Sequence, residues 1–545
     1  MAAPHKTKPR LPASAEPKPA AAAADDAASR LPLVPASLSL KLLVFISGAV
    51  LMGLEIVGSR ILAPYFGNSV FVWGSLISLF LIALSVGYYF GGRVADRWPS
   101  RRALNGIVIA VAASMFVVAA AAGPVGDAIL QAGFGEKSGP FLASAILFLL
   151  PSIGMGMVSP FAIRLATHTV ASVGKTSGTL YALSTLGSIA GTMITTFVLI
   201  PSIGAGMILK GLAATLLGAG IVTFPFASLG SAAASAVAAA ISVAACIYAI
   251  PDARAALAPG SKLKLDVDTP YHHISVVDDA IAGSRQLRFD RYVESAIQID
   301  PPHHSLSPYT RYFHLAFLAQ PEIRRAMFIG AGGGVGPRAF HIHDAEMEID
   351  VVDIDEEVLR VAREFFYMPN AATIRPIAAD GRSFVRDAED GHYDAIILDA
   401  FTIGGRIPFH LVTREFFALC REKLAPGGVL VMNINSSLRG PSSAIYQSMF
   451  KTIDDAFPHV HAFAVGSRGM LVRDSTNVML VAVNADEELA HEDWAARAAA
   501  YESASYVDRR QVETMVGDLV TTLPEVDGAA GFTDDYAPIE TMAFE

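Results

Sequence analysis

The sequence predicts an α-helical membrane bundle followed by a doubly wound α/β domain, and three observations carry this reading. Apolar runs of about twenty residues succeed one another between residues 39 and 250, each near the length that a bilayer core requires. From about residue 319, apolar stretches of strand length alternate with stretches of helix length, the pattern of a parallel sheet with crossover helices. The segment "FIGAGGGVGPRAF", 328–340, places five glycines within seven positions, as in a strand-to-helix turn that lets the backbone approach a nucleotide.

Composition agrees with this division. The 545 residues are 52% hydrophobic and 17% charged, with a mean hydropathy of +0.44, whereas soluble domains carry about a quarter charged residues. The net charge of -10 makes no electrostatic case for nucleic acid. Two cysteines, Cys246 and Cys420, cannot form a disulfide framework. His303 and His304, His341 and His343, and His459 and His461 are near neighbours, but no cysteine or spaced carboxylate completes a ligand set, so no metal is expected.

Residues 1–38, with "ASAEPKPAAAAADDAAS" inside, read as a disordered cytoplasmic tail. The first apolar run is too late and too long for a signal peptide. Within 39–250 the runs centre on 41–62, 70–91, 103–122, 141–163, 179–200, 206–226 and 229–250, which makes about seven spans of a multi-pass inner (cell) membrane protein. The loop "GGRVADRWPSRR", 91–102, carries Arg93, Arg97, Arg101 and Arg102, and the fourth-to-fifth connection carries Arg164 and Lys175. The bias of basic residues toward the inside makes both loops cytoplasmic. An odd count would then carry the soluble half outside, away from a nucleotide cofactor. One run is therefore expected to be re-entrant or misdivided, with the soluble domain cytoplasmic.

The same loop resembles, through Gly92, Asp96, Arg97, Arg101 and Arg102, the motif between the second and third helices of major facilitator transporters. Over so few residues it carries little about transport. Inside the first span, "GLEIVGSRILAPYFG" sets Glu55 and Arg60 at membrane depth or near its edge. Ionisable residues there are costly and either pair or line a path; both readings stay open.

Residues 251–318 are a linker and a small β-rich lid. "KLKLDVDTPYHHISVVDD" and "RQLRFDRYVESAIQID" alternate as short strands do, around the turn Ala282, Gly283 and Ser284. Residues 319–485 are the doubly wound domain, and 486–545 a helical segment and tail. A ligand should sit at the carboxyl ends of the parallel strands. Gly330, Gly332, Gly333 and Gly334 follow the first strand. Asp353 ends the second, where a carboxylate can accept both ribose hydroxyls. Asp380, followed by Gly381, ends the third and suits an adenine amino group, and Asp399 ends the fourth, near the reacting atoms.

With these residues in view, 264 to about 485 resembles the spermidine synthase family in its membrane-fused form. The resemblance rests on "DTPYHHISV", "LRFDRYVESA", "IGAGGG", "VVDID", "ADGR", "ILDAF" and "PFHLVTREFF". It implies a methyltransferase-like Rossmann core, an N-terminal β lid, and aminopropyl transfer from decarboxylated S-adenosylmethionine to a diamine, with release of methylthioadenosine. It further implies that Gly330 to Gly334 form the nucleoside loop, that Asp353 binds ribose and Asp380 adenine, and that Asp399 is the catalytic carboxylate, a group able to position an amine and take its proton. Membrane lipid and a small amine or other small-molecule acceptor are the expected partners, nucleic acid is not, and the resemblance allows a homodimer.

This chain also departs from the family pattern. Gly333 stands where the loop carries an aspartate, Glu294 where the hairpin beginning at Asp290 carries glutamine, and His272 follows Tyr271 where glutamine is expected. Tyr309, Thr310 and Arg311 replace a Tyr-His-Glu segment, and Thr402 replaces the partner of Asp399. These positions, with Asp535 of the terminal "GFTDDYAPIE", are candidates for contact with the substrate or the cofactor tail. An arginine grips a carboxylate in a bidentate fork, so Arg311 raises intact S-adenosylmethionine as an alternative co-substrate. Methyl or aminocarboxypropyl transfer is the enzymatic alternative. A membrane transporter or sensor with a non-catalytic nucleoside- or polyamine-binding domain is the alternative from another class.

Overall fold

The computed structural model describes residues 36–542 apart from 68–69, 135–137, 168, 201, 402–405, 469–474, 503–506, 522–528 and most of 226–258. The N-terminal region is helical: α1 Ala36–Phe66, α2 Val70–Arg97, α3 Arg101–Gln131, α4 Gly139–Gly156 continued by α5 Val158–Ala166, α6 Val173–Ile194 continued by a π turn, and α7 Ala205–Val222. Six helices among the described residues are long and apolar enough to cross a membrane. The seventh expected run, 229–250, lies outside the described residues.

Two features suit these helices to lipid. Large apolar side chains such as Leu81, Val117, Leu150 and Phe197 point outward, each 60% or more exposed, while Leu54, Leu76, Phe80, Leu104 and Phe148 fill the interior. Helices α1 and α6 meet backbone to backbone. A Cβ on Gly187 or Gly191 would lie 2.0 Å from Phe45 O or 2.1 Å from Ala49 O, so only glycine permits this approach, the small-residue packing of membrane helices. Glu55 is half-buried in α1, while Arg60 reaches out of the bundle and donates to the carbonyl oxygens of Thr269 (3.2 Å) and Pro270 in the lid.

The lid is an antiparallel meander of β1 Ser261–Asp268, β2 His273–Asp279, β3 Ser284–Phe289 and β4 Tyr292–Gln298. Gly283 takes a positive φ in the β2–β3 turn, and Asp290 does so, at 53°, in the β3–β4 turn. The following domain is a seven-stranded sheet in the order β10-β11-β9-β8-β5-β6-β7. Its strands are β5 Arg325–Ile329, β6 Glu348–Asp353, β7 Ile374–Ala378, β8 Tyr393–Leu398, β9 Leu424–Ser436, β10 His459–Ala464 and β11 Thr476–Val483. Strands β5 to β9 pair in parallel, and β10 and β11 add an antiparallel edge. The connecting helices include α8 Val335–His343, α9 Glu356–Phe366, α10 Gly381–Asp387, α11 Arg414–Lys423 and α12 Ala444–Asp454. This is the doubly wound, Rossmann-like fold that the strand-helix alternation predicts.

Both faces of the central strands are buried: Phe328, Ile349, Val351 and Ile397 pack on one side, and Met327, Val352, Ile396 and Leu398 on the other. The strand order reverses between β6-β5 and β5-β8, and the crevice outside the carboxyl ends of β5 and β8 is where such a sheet takes a ligand. The lid covers that crevice. Thr269 Oγ1 donates to Asp355 Oδ2 (2.5 Å), tying the lid to the loop after β6.

Candidate functional site

A cleft between the lid and the carboxyl ends of the sheet is lined by the glycine turn Gly330 to Gly333, by Asp353, Asp380 and Asp399 from three strand ends, and by His272, Glu294 and Tyr309 from the lid side. The glycine turn is required by close approach. Gly330 has φ 92°, and a Cβ there would lie 2.4 Å from the carbonyl oxygen of Asp399. The Gly330 N–H donates to Val352 O, and the Asp399 N–H to Ile329 O, so the three strand ends are laced together at this point. Replacing Gly330 by Ala should cost about 1–3 kcal/mol in backbone strain and push Asp399 out of place. Thermal unfolding would check this; a wild-type midpoint would refute the packing argument.

Asp353 is oriented by two backbone donors, Ala331 N–H to Oδ2 (2.9 Å) and Asp355 N–H to Oδ1 (3.0 Å). Burial still pushes its carboxyl up to about 6, the backbone donors opposing it. Asp380 caps α10 by accepting from Ser383 N–H (2.9 Å), and His410 Nε2 lies 2.9 Å from its other oxygen. Burial alone would raise the Asp380 carboxyl, but these partners together outweigh it and hold it below the usual carboxylate range. Gly381, next in sequence, packs against Ile329, and a Cβ there would lie 2.5 Å from its Cγ2.

Asp399 is held from two sides. Asn433 of β9 donates Nδ2–H to Oδ1 (3.0 Å), and the Tyr309 hydroxyl donates to Oδ2 (3.2 Å). Asn433 is itself oriented, since Asn477 Nδ2 donates to its Oδ1 (3.1 Å). Burial pushes the Asp399 carboxyl up to about 6 against both donors. Across the cleft, burial and then the charges of Asp399 and Asp290 push Glu294 up to about 8. Asp290, beside Glu294, is raised to about 6, chiefly by burial, and its Oδ2 is buried without a hydrogen-bond partner. His272 stacks on Phe289, ring centroids 4.3 Å apart. Burial, helped by Arg60, lowers it to about 4, so it faces the cleft neutral. The cleft therefore offers two carboxyl groups, Asp399, ionised near neutral pH, and Glu294, which a bound cation would drive to ionise.

Two expected contacts, Arg311 and Asp535, are not brought into the cleft. Arg311 lines a separate small pocket with His304, Ser305, Thr310, Val335 and Ala339. It stands in the 3₁₀ helix Pro308–His314, where a third of a turn separates successive residues, so it cannot share a face with Tyr309. Asp535 is exposed and outside the cleft lining. Its neighbour Asp534 is the one engaged, accepting from both terminal nitrogens of Arg382 (2.6 Å each) and from Thr413 (2.7 Å). Thr402 lies outside the described residues. Asn433 and His410 were not among the residues expected from the sequence to build the site. The signal for the first was an asparagine inside the apolar run "VLVMNI", and for the second its place in the motif "PFHLVTREFF".

Residues 309–481 match the family model described as the spermine/spermidine synthase domain. The chain is similar to the polyamine aminopropyltransferase of Vibrio vulnificus, with 37% identity over 147 residues, covering 26% of this chain and 49% of that protein. It is also similar to a probable polyamine aminopropyl transferase of Bifidobacterium longum, with 30% identity over 245 residues, covering 43% and 53%. Putrescine N-methyltransferase 1 of Nicotiana tabacum is 35% identical over 136 residues, covering 24% and 36%. The chain thus spans about half, or less, of the length of these relatives. Among solved structures, a probable spermidine synthase from Corynebacterium glutamicum is 22% identical, covering 51% of this chain and 97% of that one, with a TM-score of 0.40.

Proposed function

We propose that this chain is a membrane-attached transferase that moves a carbon group from an S-adenosylmethionine-type sulfonium nucleoside to a small amine, most readily as an aminopropyltransferase using decarboxylated S-adenosylmethionine. The observation that carries this is the pair of raised carboxylates, Glu294 and Asp399, facing one cleft beside a glycine turn with no room for a side chain at Gly330. In this reading Gly330 to Gly333 meet the nucleoside, Asp353 accepts the ribose hydroxyls and Asp380 the adenine amino group. The sulfonium supplies a carbon made electrophilic by its positive sulfur. Asp399, fixed by Asn433 and Tyr309, orients the acceptor amine and takes its proton as nitrogen bonds to that carbon and the carbon–sulfur pair returns to sulfur.

The decarboxylated form is favoured because the lid presents a carboxylate, Glu294, and Arg311 is turned away. An ammonium arm drives Glu294 to ionise and meets an opposite charge there, whereas an added carboxylate would find no cationic partner on that side. Methyl transfer is the second reading, supported by the similarity to putrescine N-methyltransferase, because the same Asp399 could serve an amine attacking either carbon. Incubation of the purified protein with either sulfonium, with and without putrescine, separates the two by mass spectrometry. Methylthioadenosine from the decarboxylated form is expected. S-Adenosylhomocysteine would establish methyl transfer, and neither product despite binding would favour a sensor or transporter.

Tyr309→Phe should lower kcat by about 10- to 100-fold, the range of a hydrogen bond to a charged group, with KM little changed. A KM effect alone would show that Tyr309 serves the substrate rather than Asp399.

A further inference from the structure

The two ends of the helical bundle differ in charge and in what they touch. At one end Arg101, beginning α3, donates to Ser39 at the start of α1, and Arg164 of α5 pairs with Asp96 near the end of α2 (2.8 Å). Asn105, in the first turns of α3, donates to Gly220 O (2.7 Å) and Thr223 Oγ1 (2.6 Å), so α7 also terminates there. This end carries Arg93, Arg97, Arg101, Arg102, Arg164 and Lys175.

The lid touches the other end. Arg60, late in α1, reaches the Thr269 and Pro270 carbonyls. Arg291, in the β3–β4 turn, pairs with Asp127 near the end of α3 (2.6 Å) and sits over the Tyr65 ring (5.0 Å). A Cβ on Gly204, just before α7, would lie 2.6 Å from Asp268 Oδ2 of β1. The turns at this end, 67–69, 132–138 and 200–204, hold a single basic residue, Lys137, and the connection 251–260 into β1 holds one more, Arg254.

From these two ends we infer that the soluble domain and its cleft lie on the non-cytoplasmic face of the membrane. Short loops rich in Arg and Lys stay in the cytoplasm, and the lid is seated on the opposite end. The chain leaves α7 at the basic end and enters β1 at the lid end. Between them the sequence 229–250 is an apolar run of the length that one crossing requires. This revises the expectation of a cytoplasmic domain and removes the need for a misdivided run. It also gives the reaction a place in a sequence of steps. Resting on the proposed activity, it means that a permanently charged sulfonium nucleoside, which cannot diffuse through lipid, must be delivered by a preceding transport step, and that the amine is taken from the same compartment.

Two variants of the full chain, each with one added cysteine, test the side independently of any activity. Ile281→Cys lies in the β2–β3 turn of the lid, at a position 82% exposed, and Val170→Cys in the turn before α6 at the basic end, at a position 91% exposed. The parent chain reports the background from Cys246 and the buried Cys420. In intact spheroplasts a membrane-impermeant maleimide should label Ile281→Cys and spare Val170→Cys until the membrane is permeabilised. Labelling of Val170→Cys alone, or of both equally before permeabilisation while a cytoplasmic marker stays protected, would overturn the inference. Product analysis on permeabilised membranes is unaffected by the side and reports separately on the proposed reaction.

Discussion

Asp399→Asn should lower kcat/KM by about 10²- to 10⁴-fold, the usual contribution of a positioned acid-base group, while methylthioadenosine still binds. Asparagine keeps the shape and can still engage the Tyr309 hydroxyl and Asn433, which grip Asp399 at 3.2 and 3.0 Å, but it cannot take a proton. Steady-state turnover together with calorimetric binding makes the test, and unchanged turnover would remove Asp399 from the chemistry. The wild-type pH profile should agree. Burial sets the ligand-free Asp399 carboxyl at about 6, and only the ionised form accepts a proton. kcat/KM should therefore fall about tenfold per unit as pH drops below about 6. A flat profile through that region would exclude a buried carboxylate base.

Glu294→Gln should raise KM for the cationic substrate by about 10- to 100-fold, the range of a charge-assisted hydrogen bond of about 1.5–3 kcal/mol. It should also abolish a proton signal. With its carboxyl at about 8 in the empty cleft, Glu294 is largely protonated at about pH 7, and an ammonium placed against it drives ionisation. Binding should release close to one proton, read from calorimetry in buffers of different ionisation enthalpy, and the variant should release nearly none. An equal release by both proteins would assign the proton to another group. Asp290 is the alternative source, and its lower value of about 6 leaves it mostly ionised beforehand at that pH.

The carboxylates that line the cleft from the sheet were legible because a parallel sheet places its ligand groups at strand ends, so that Asp353, Asp380 and Asp399 could be located by counting strands. The glycine turn was legible because close backbone approach excludes a side chain, which the 2.4 Å separation at Gly330 expresses. Arg311 was read as a carboxylate grip because alignment reports position in the chain and not the face of a 3₁₀ turn. Asp535 was chosen over Asp534 for a related reason: two adjacent aspartates are equivalent in sequence, and Arg382 engages only one. Asn433 and Asn477 support Asp399 from strands that pair only in the folded sheet.

The sequence by itself determined the order of the parts: a bundle of apolar helices, a small lid and a doubly wound sheet with acidic residues at its strand ends. Those features are periodic or local, set by the length of a bilayer, the alternation of strand and helix, and the steric freedom of glycine. Only the tertiary structure decided which carboxylates face one another, how Glu294 and Asp399 come to share a buried space that raises both, and which end of the bundle receives the lid. Each of these depends on contacts between residues far apart in the chain, such as Tyr309 with Asp399 or Asp127 with Arg291, whose proximity is a property of packing and leaves no periodic trace in the sequence.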